Sequence, residues 1–211
     1  MLYDVIIFDW DGTLYDSVGL SYTIYKKLLA KYNLKIPSQE DFKTKFCADY
    51  HLYYKMNGIK EECFEEADNL WMELYMQEQK NLNLLPEAQK TLDTIRKNGY
   101  KIGIVSNGSG ERIRDEIKKH NLQKYFEIVI SKDEVDEFKP SPQGIITALK
   151  HLKSHHEKAI YVGDMAEDIL AGRAAGVSTA GVLTGVHTRE KLLEVKPTYI
   201  FKNVGEVLHL L

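Results

Sequence analysis

Cysteine is nearly absent from this chain. Cys47 and Cys63 are the only two in 211 residues, too few for a disulfide framework or a cysteine-built zinc site. An excess of one charge is also missing: 28 Lys+Arg face 31 Asp+Glu, a formal net charge of −3. That balance excludes a strongly single-signed surface, so neither nucleic acid nor an anionic membrane is an expected partner. No apolar run approaches the roughly 18 residues that span a bilayer. The first apolar stretch has no basic segment before it and no small-residue cleavage site after it, so no signal peptide is expected and a cytoplasmic location is. Internal repeats and low-complexity segments are lacking too. The seven histidines show no metal-ligand spacing, and His155-His156 reads as a solvated helix end. No feature signals an oligomeric state.

What is present is enough apolar material for a core, 44% of residues against 28% charged, which argues against disorder. Short continuous apolar runs read as strands buried on both faces. They are Val5–Asp9, Lys101–Ser106, Glu127–Ser131, Ala159–Asp164, Thr179–Thr184 and, more weakly, Thr198–Phe201. Helical spacing separates them. Leu92 and Ile95 follow Pro86, a residue suited to a first helical turn. Ile113 and Ile117 are four apart. Ile145, Ile146, Leu149 and Leu152 form a stripe after Ser141-Pro142, read as N-cap and first helical residue. This alternation predicts an α/β fold with a doubly wound, Rossmann-like parallel sheet.

Residues 15–85 break the rhythm. They hold no convincing strand and read as amphipathic helices over Leu20–Tyr32, Glu40–Ala48 and Glu61–Asn81, punctuated at Asn33, Pro37-Ser38 and Asn57-Gly58. The expected organisation is an α/β core of residues 1–14 and 86–211 with an all-helical insertion at 15–85 after the first strand. The insertion is expected to act as a lid hinged near 14–17 and 84–87.

In such sheets functional residues gather at the carboxyl ends of the strands. The first run ends in Asp9-Trp10-Asp11-Gly12-Thr13, and the second in Ser106-Asn107-Gly108. Lys139-Pro140 follows the third. The fourth ends in Gly163-Asp164, with Asp168 four residues on. Strand-end carboxylates repel one another unless a cation joins them. Oxygen donors without cysteine or clustered histidine point to Mg²⁺. Ser106 offers a hydroxyl, Asn107-Gly108 a turn with backbone N–H groups near a helix start, and Lys139 a point charge. With Thr13 these residues are the candidate phosphate binders. Asp9 can then be a nucleophile and Asp11 a general acid and later base. Alternation along a strand puts those two acids on one side and Trp10 on the other.

Each feature also has a plainer reading. Asp9 and Asp11 could be a solvated strand end. Asp164 and Asp168 could cap a helix. Ser106 could do likewise, and Lys139 could be a solvated lysine. Gly108 and Gly110 are followed by Ile113 where a third glycine would fall, so no dinucleotide fingerprint is present. Tyr50, Tyr53, Tyr54 and Lys55 lie in the insertion. They read as helix packing, with Tyr50, Tyr54 and Lys55 as alternative substrate contacts.

Asp-x-Asp-Gly-Thr, a strand-end Ser, Lys-Pro and Gly-Asp-x-x-x-Asp occur here in that order. Together they make the whole chain resemble the haloacid dehalogenase-like hydrolase superfamily, in its phosphatase branch. The strings "SKDEVDEFKPSPQ" and "YVGDMAEDILAGRAAGV" are similar to its phosphoglycolate phosphatase-like subgroup, and the insertion looks like the family's type-1 cap. The resemblance implies a phosphatase that forms an aspartyl-phosphate and acts on a small phosphorylated metabolite. It also implies Mg²⁺ held by Asp9, the Asp11 backbone carbonyl and Asp164, with Asp168 in support. A phosphomutase or a pyrophosphatase would keep the same four motifs. A dehalogenase would lack the second aspartate. A phospho-accepting signalling module would carry its phosphorylated aspartate on a later strand, in a chain about half as long.

Overall fold

The computed structural model describes residues 2–211. Its chain divides into two compact units: an α/β unit running up to Asp16 and resuming over Asn83–Leu211, and a helical unit, Ser17–Leu82.

The α/β unit is built on six parallel strands: β1 Val5–Phe8, β2 Lys101–Val105, β3 Ile128–Ile130, β4 Ala159–Gly163, β5 Ser178–Val182 and β6 Tyr199–Phe201. Their order across the sheet is β3-β2-β1-β4-β5-β6. The order reverses beside β1, whose Val5 pairs with Lys101 on one side and Ala159 on the other. All four residues of β1 are fully buried, which is why the run is continuously apolar rather than alternating. Each strand lies within two residues of its expected bounds. Asp9, Ser106 and Asp164 fall just past the strand ends, at the carboxyl edge.

Five helices belong to this unit: α5 Ala88–Lys97, α6 Gly110–Lys119, α7 Gln143–Leu152, α8 Ala166–Ala174 and α9 Arg189–Glu194. Helix α7 buries Ile145, Ala148, Leu149 and Leu152 in the cluster that holds Val5, Ile7 and Val105. Ile146 instead faces outward, 38% exposed, because it falls outside the i, i+3, i+4, i+7 stripe that Ile145, Ala148, Leu149 and Leu152 make. The helix also starts one residue later than expected. Pro142 holds the cap position, while the Ser141 hydroxyl accepts from the Gln143 N–H at 3.3 Å. Pro86 lies outside its helix, because Glu87 adopts a left-handed conformation (φ 68°) and α5 begins only at Ala88.

The helical unit comprises α1 Val18–Lys31, α2 Gln39–Lys45, α3 Tyr50–Met56 and α4 Phe64–Glu78. Ser38 caps α2 by accepting from the Asp41 N–H, and Asp49 caps α3 by accepting from the Leu52 N–H. Helix α3 is additional to the three expected helices. The long helix expected over Glu61–Asn81 is α4 flanked by 3₁₀ turns at Glu61–Cys63 and Gln79–Asn81. The unit's core is aromatic. Tyr25 meets Tyr53 edge-on with ring centroids 5.2 Å apart, and Phe42 and Phe46 join them.

Leu14, Tyr15 and Asp16 go with the α/β unit. The Leu85 N–H donates to the Leu14 carbonyl at 2.9 Å, and the Asp16 N–H to the Asn83 carbonyl at 3.0 Å. Among the described residues, no helix is long and apolar enough to cross a membrane.

Candidate active site

Asp9 leaves β1 with its N–H still donating to the Val162 carbonyl at 2.8 Å. The chain then coils tightly, and the Trp10 carbonyl accepts from the N–H groups of both Leu14 and Tyr15 at 3.0 Å. Gly12 sits inside this coil at φ +73°, and a Cβ there would lie 2.7 Å from an Asp164 carboxylate oxygen. Only glycine meets both demands. The coil thus presses against Asp164, whose carboxylate accepts from the Val186 N–H at 2.6 Å and from the Thr13 hydroxyl at 3.4 Å.

Asp9, Asp164 and Asp168 are all buried and each offers an oxygen to one cluster, the three atoms within 4.8 Å of one another. Lys139 reaches into the cluster. Its ammonium donates to Asp9 at 2.7 Å, to Asp168 at 2.6 Å and to the Tyr161 hydroxyl at 3.0 Å. Tyr161 in turn donates to the Val105 carbonyl at 2.7 Å. Asn107 grips the backbone of Lys139 at two points, accepting from its N–H at 3.0 Å and donating to its carbonyl at 3.2 Å. The second strand end thereby positions the lysine that follows the third. Ser106, also buried, accepts from the Gly108 N–H at 3.3 Å. The other oxygen of Asp168 accepts from the Met165 N–H at 2.8 Å, which fixes the carboxylate over the start of α8.

Asp11 corrects the alternation argument. The strand stops at Phe8, so the two-residue period does not extend through the coil to residue 11. The Asp11 carboxylate stands outside the acid cluster, one-third exposed, and accepts from both terminal nitrogens of Arg112 at 3.0 and 2.5 Å. Tyr54 needs a correction as well. It is 2% exposed, packed within the helical unit against Tyr25 and Phe64, which favours packing over substrate contact. Tyr50 is half-buried beside His51. Lys55 is exposed and paired with Glu61 at 2.6 Å.

Two site residues escaped the sequence reading. Tyr161 was counted as part of an apolar strand. Arg112 lies four residues before Glu116 on α6, and that i,i+4 spacing was the available signal.

The cluster is short of positive charge. Burial pushes Asp9 up to about 7, with Asp168 and Asp11 adding to the rise and Lys139 opposing it. Burial also holds Asp164 well above the usual carboxylate range, reinforced by Asp168 and Asp9. Burial disfavours the Lys139 ammonium, but Asp168 and Asp9 outweigh that and hold its pKa well above the usual value. Three carboxylates against one ammonium leave a buried negative excess, and an all-oxygen donor set suits a hard divalent cation.

The sign of the pH dependence follows. A carboxyl group with a raised folded-state pKa stabilises the protein below its ordinary pKa, and that contribution is lost as pH rises through the folded value. The metal-free protein should therefore melt at a lower temperature at about pH 8 than at about pH 5. Divalent cation should recover more at the higher pH, because the ligands bind it deprotonated. Thermal melts with and without chelator check both; a metal-free melting temperature that climbs across this window contradicts the assignment.

Comparison with known proteins agrees with this geometry. The haloacid dehalogenase-like hydrolase family matches over residues 6–182. Pyrophosphatase PpaX of Bacillus velezensis is 30% identical, covering 97% of this chain and 94% of its own. Phosphoglycolate phosphatase 1 of Pseudomonas aeruginosa is 26% identical over 97% of this chain and 78% of its own. A solved candidate haloacid dehalogenase-like hydrolase from Bacteroides fragilis superposes with a TM-score of 0.87 at 27% identity, covering 97% of this chain and 99% of that one. With its strand-end acids, its lysine and its parallel sheet, this chain belongs to the haloacid dehalogenase-like hydrolases.

Proposed function

We propose that this protein is a Mg²⁺-dependent phosphatase that cleaves a small phosphorylated metabolite through an aspartyl-phosphate at Asp9. The carrying observation is the buried Asp9–Lys139–Asp168 contact beside Asp164 at the carboxyl edge of the sheet. Asp9, the Asp11 backbone carbonyl and Asp164 would hold the cation, with Asp168 behind them. Bound there, it would neutralise the carboxylates and the phosphoryl oxygens.

An Asp9 oxygen attacks phosphorus, and the bond from phosphorus to the leaving oxygen breaks. Asp11 gives that oxygen its proton. Asp11 then takes a proton from water, which attacks the acyl phosphate, releases inorganic phosphate and restores Asp9. Lys139 balances the charge of the phosphoryl oxygens, and Thr13, Ser106 and Asn107 supply hydrogen bonds around them. The helical unit Ser17–Leu82 serves as the cap.

The relatives supply the substrate reading. One is named for pyrophosphate and another for phosphoglycolate. Those two molecules share one chemistry: a phosphoryl group whose leaving group carries a second negative charge. We assign this chain the same class. Phosphate release measured with Mg²⁺ across pyrophosphate, phosphoglycolate, hexose 1-phosphates and nucleoside monophosphates tests the assignment. The anionic leaving groups should give the highest kcat/KM. Isomer formation from a hexose 1-phosphate without net phosphate release would make the protein a mutase. Chloride release from a haloacid would make it a dehalogenase.

A further inference from the structure

Arg112 lies outside the acid cluster, yet it is as buried as the cluster's own residues, 7% exposed. Its position is fixed from two sides. Glu116, one turn further along α6 and 2% exposed, accepts from an Arg112 terminal nitrogen at 3.2 Å and from the Trp10 indole N–H at 2.7 Å. Gly108 flanks the guanidinium: a Cβ at that residue would collide with an Arg112 terminal nitrogen. The turn after β2 thus lies directly against the arginine head. The fixed guanidinium then grips Asp11 with two parallel bonds, the fork-to-fork geometry that also recognises free carboxylates and phosphates.

Asp11 has another task in the proposed reaction. To serve the leaving oxygen it must turn at least one of its oxygens away from Arg112. The guanidinium cannot follow, because it is buried and bound to Glu116. Its fork then faces the place where the Asp11 carboxylate lay, next to the leaving group. An anionic group one or two bonds beyond the leaving oxygen matches that place in charge and shape.

We propose that Arg112 is a specificity-determining residue that exchanges Asp11 for the second negative charge of the substrate, a carboxylate or phosphoryl group on the leaving group. Binding of that anion and release of Asp11 toward the leaving oxygen are then one event. A phosphate ester with a neutral leaving group has nothing to offer Arg112 in exchange. This proposal deepens, and rests on, the phosphatase reading.

The test compares two inert ligands by calorimetry at fixed Mg²⁺: methylenediphosphonate, which carries a second anionic group, and methylphosphonate, which does not. Removing Arg112 alone would take a cation from the buried Glu116 carboxylate, so the main variant is Arg112→Met with Glu116→Gln. Arg112→Lys is the second variant, keeping the charge but not the fork. Wild type should prefer the diphosphonate. In the double variant that preference should shrink about ten- to a hundredfold, the loss expected for hydrogen bonds to a charged group. Arg112→Lys should restore part of it. The ratio of kcat/KM for pyrophosphate over p-nitrophenyl phosphate should fall in parallel. Equal weakening of both ligands would make Arg112 merely structural and overturn the proposal. So would an unchanged preference, or none in wild type. If wild type releases phosphate from no substrate, the phosphatase reading fails, while the two binding constants still decide whether Arg112 takes a second anion.

Discussion

Asp9→Asn should abolish turnover on every phosphate substrate, whereas Asp11→Asn should release a burst of p-nitrophenol and then stall. The two variants remove different chemistry from the same coil. Asp9 carries the attacking oxygen, so its loss leaves no route to a phosphoenzyme. Asp11 supplies the leaving-group proton, which an alkoxide needs and p-nitrophenolate, a far weaker base, needs much less. Asp11 also has to deprotonate the hydrolytic water. Without it the first half-reaction proceeds on the activated substrate and the second is starved. General acid–base assistance is worth about 10²–10⁴-fold per step, enough for the phosphoenzyme to accumulate. Rapid-quench kinetics with intact-mass detection should show one added phosphoryl group on Asp11→Asn and none on Asp9→Asn. A burst from Asp9→Asn and none from Asp11→Asn would mean that the two roles are reversed.

Stripping divalent cations should have an effect of similar size. Asp9, Asp164 and Asp168 crowd three oxygens within 4.8 Å, and Lys139 supplies one positive charge. An incoming phosphoryl group adds more negative charge to the same place. Cation stabilisation of such a transition state is worth several kcal/mol, so phosphate release in excess chelator should fall about 10³-fold or more. Mg²⁺ should restore it. Ca²⁺ should restore it poorly, because it takes more ligands at longer distances and disturbs the in-line geometry of phosphoryl transfer. Full activity in chelator would sink the phosphatase reading and favour a metal-independent displacement on carbon.

Much of this architecture was legible in the residues. Strands such as Val5–Phe8 are buried on both faces and so announce themselves as unbroken apolar runs. A doubly wound sheet then brings its strand ends to one edge, and that topology gathers Asp9, Lys139 and Asp164 from three distant parts of the chain. What stayed hidden depends on features one-dimensional patterns do not carry. Helix α3 spans under two turns. Tyr161 looks apolar in a strand, and only the packed sheet turns its hydroxyl toward Lys139. Arg112 has the spacing of a surface helix residue, and its burial arises from contact with the coil after β1, a hundred residues earlier in the chain. Asp11 was placed by a strand rule beyond the point where the strand ends.

The central place of β1 also orders events on the ribosome. Val5–Phe8 is synthesised early, but its two neighbours begin at Lys101 and Ala159. The nascent chain therefore carries an apolar strand with both edges open while the whole of Ser17–Leu82 is made. The helical unit, whose partners lie close in sequence, can fold in that interval, whereas parallel pairing across such separations is slow. The same long-range pairings carry Asp9 to Lys139 and Asp164. Catalytic competence must therefore wait until both later neighbours of β1 have been made, and until then the open strand needs protection from other chains.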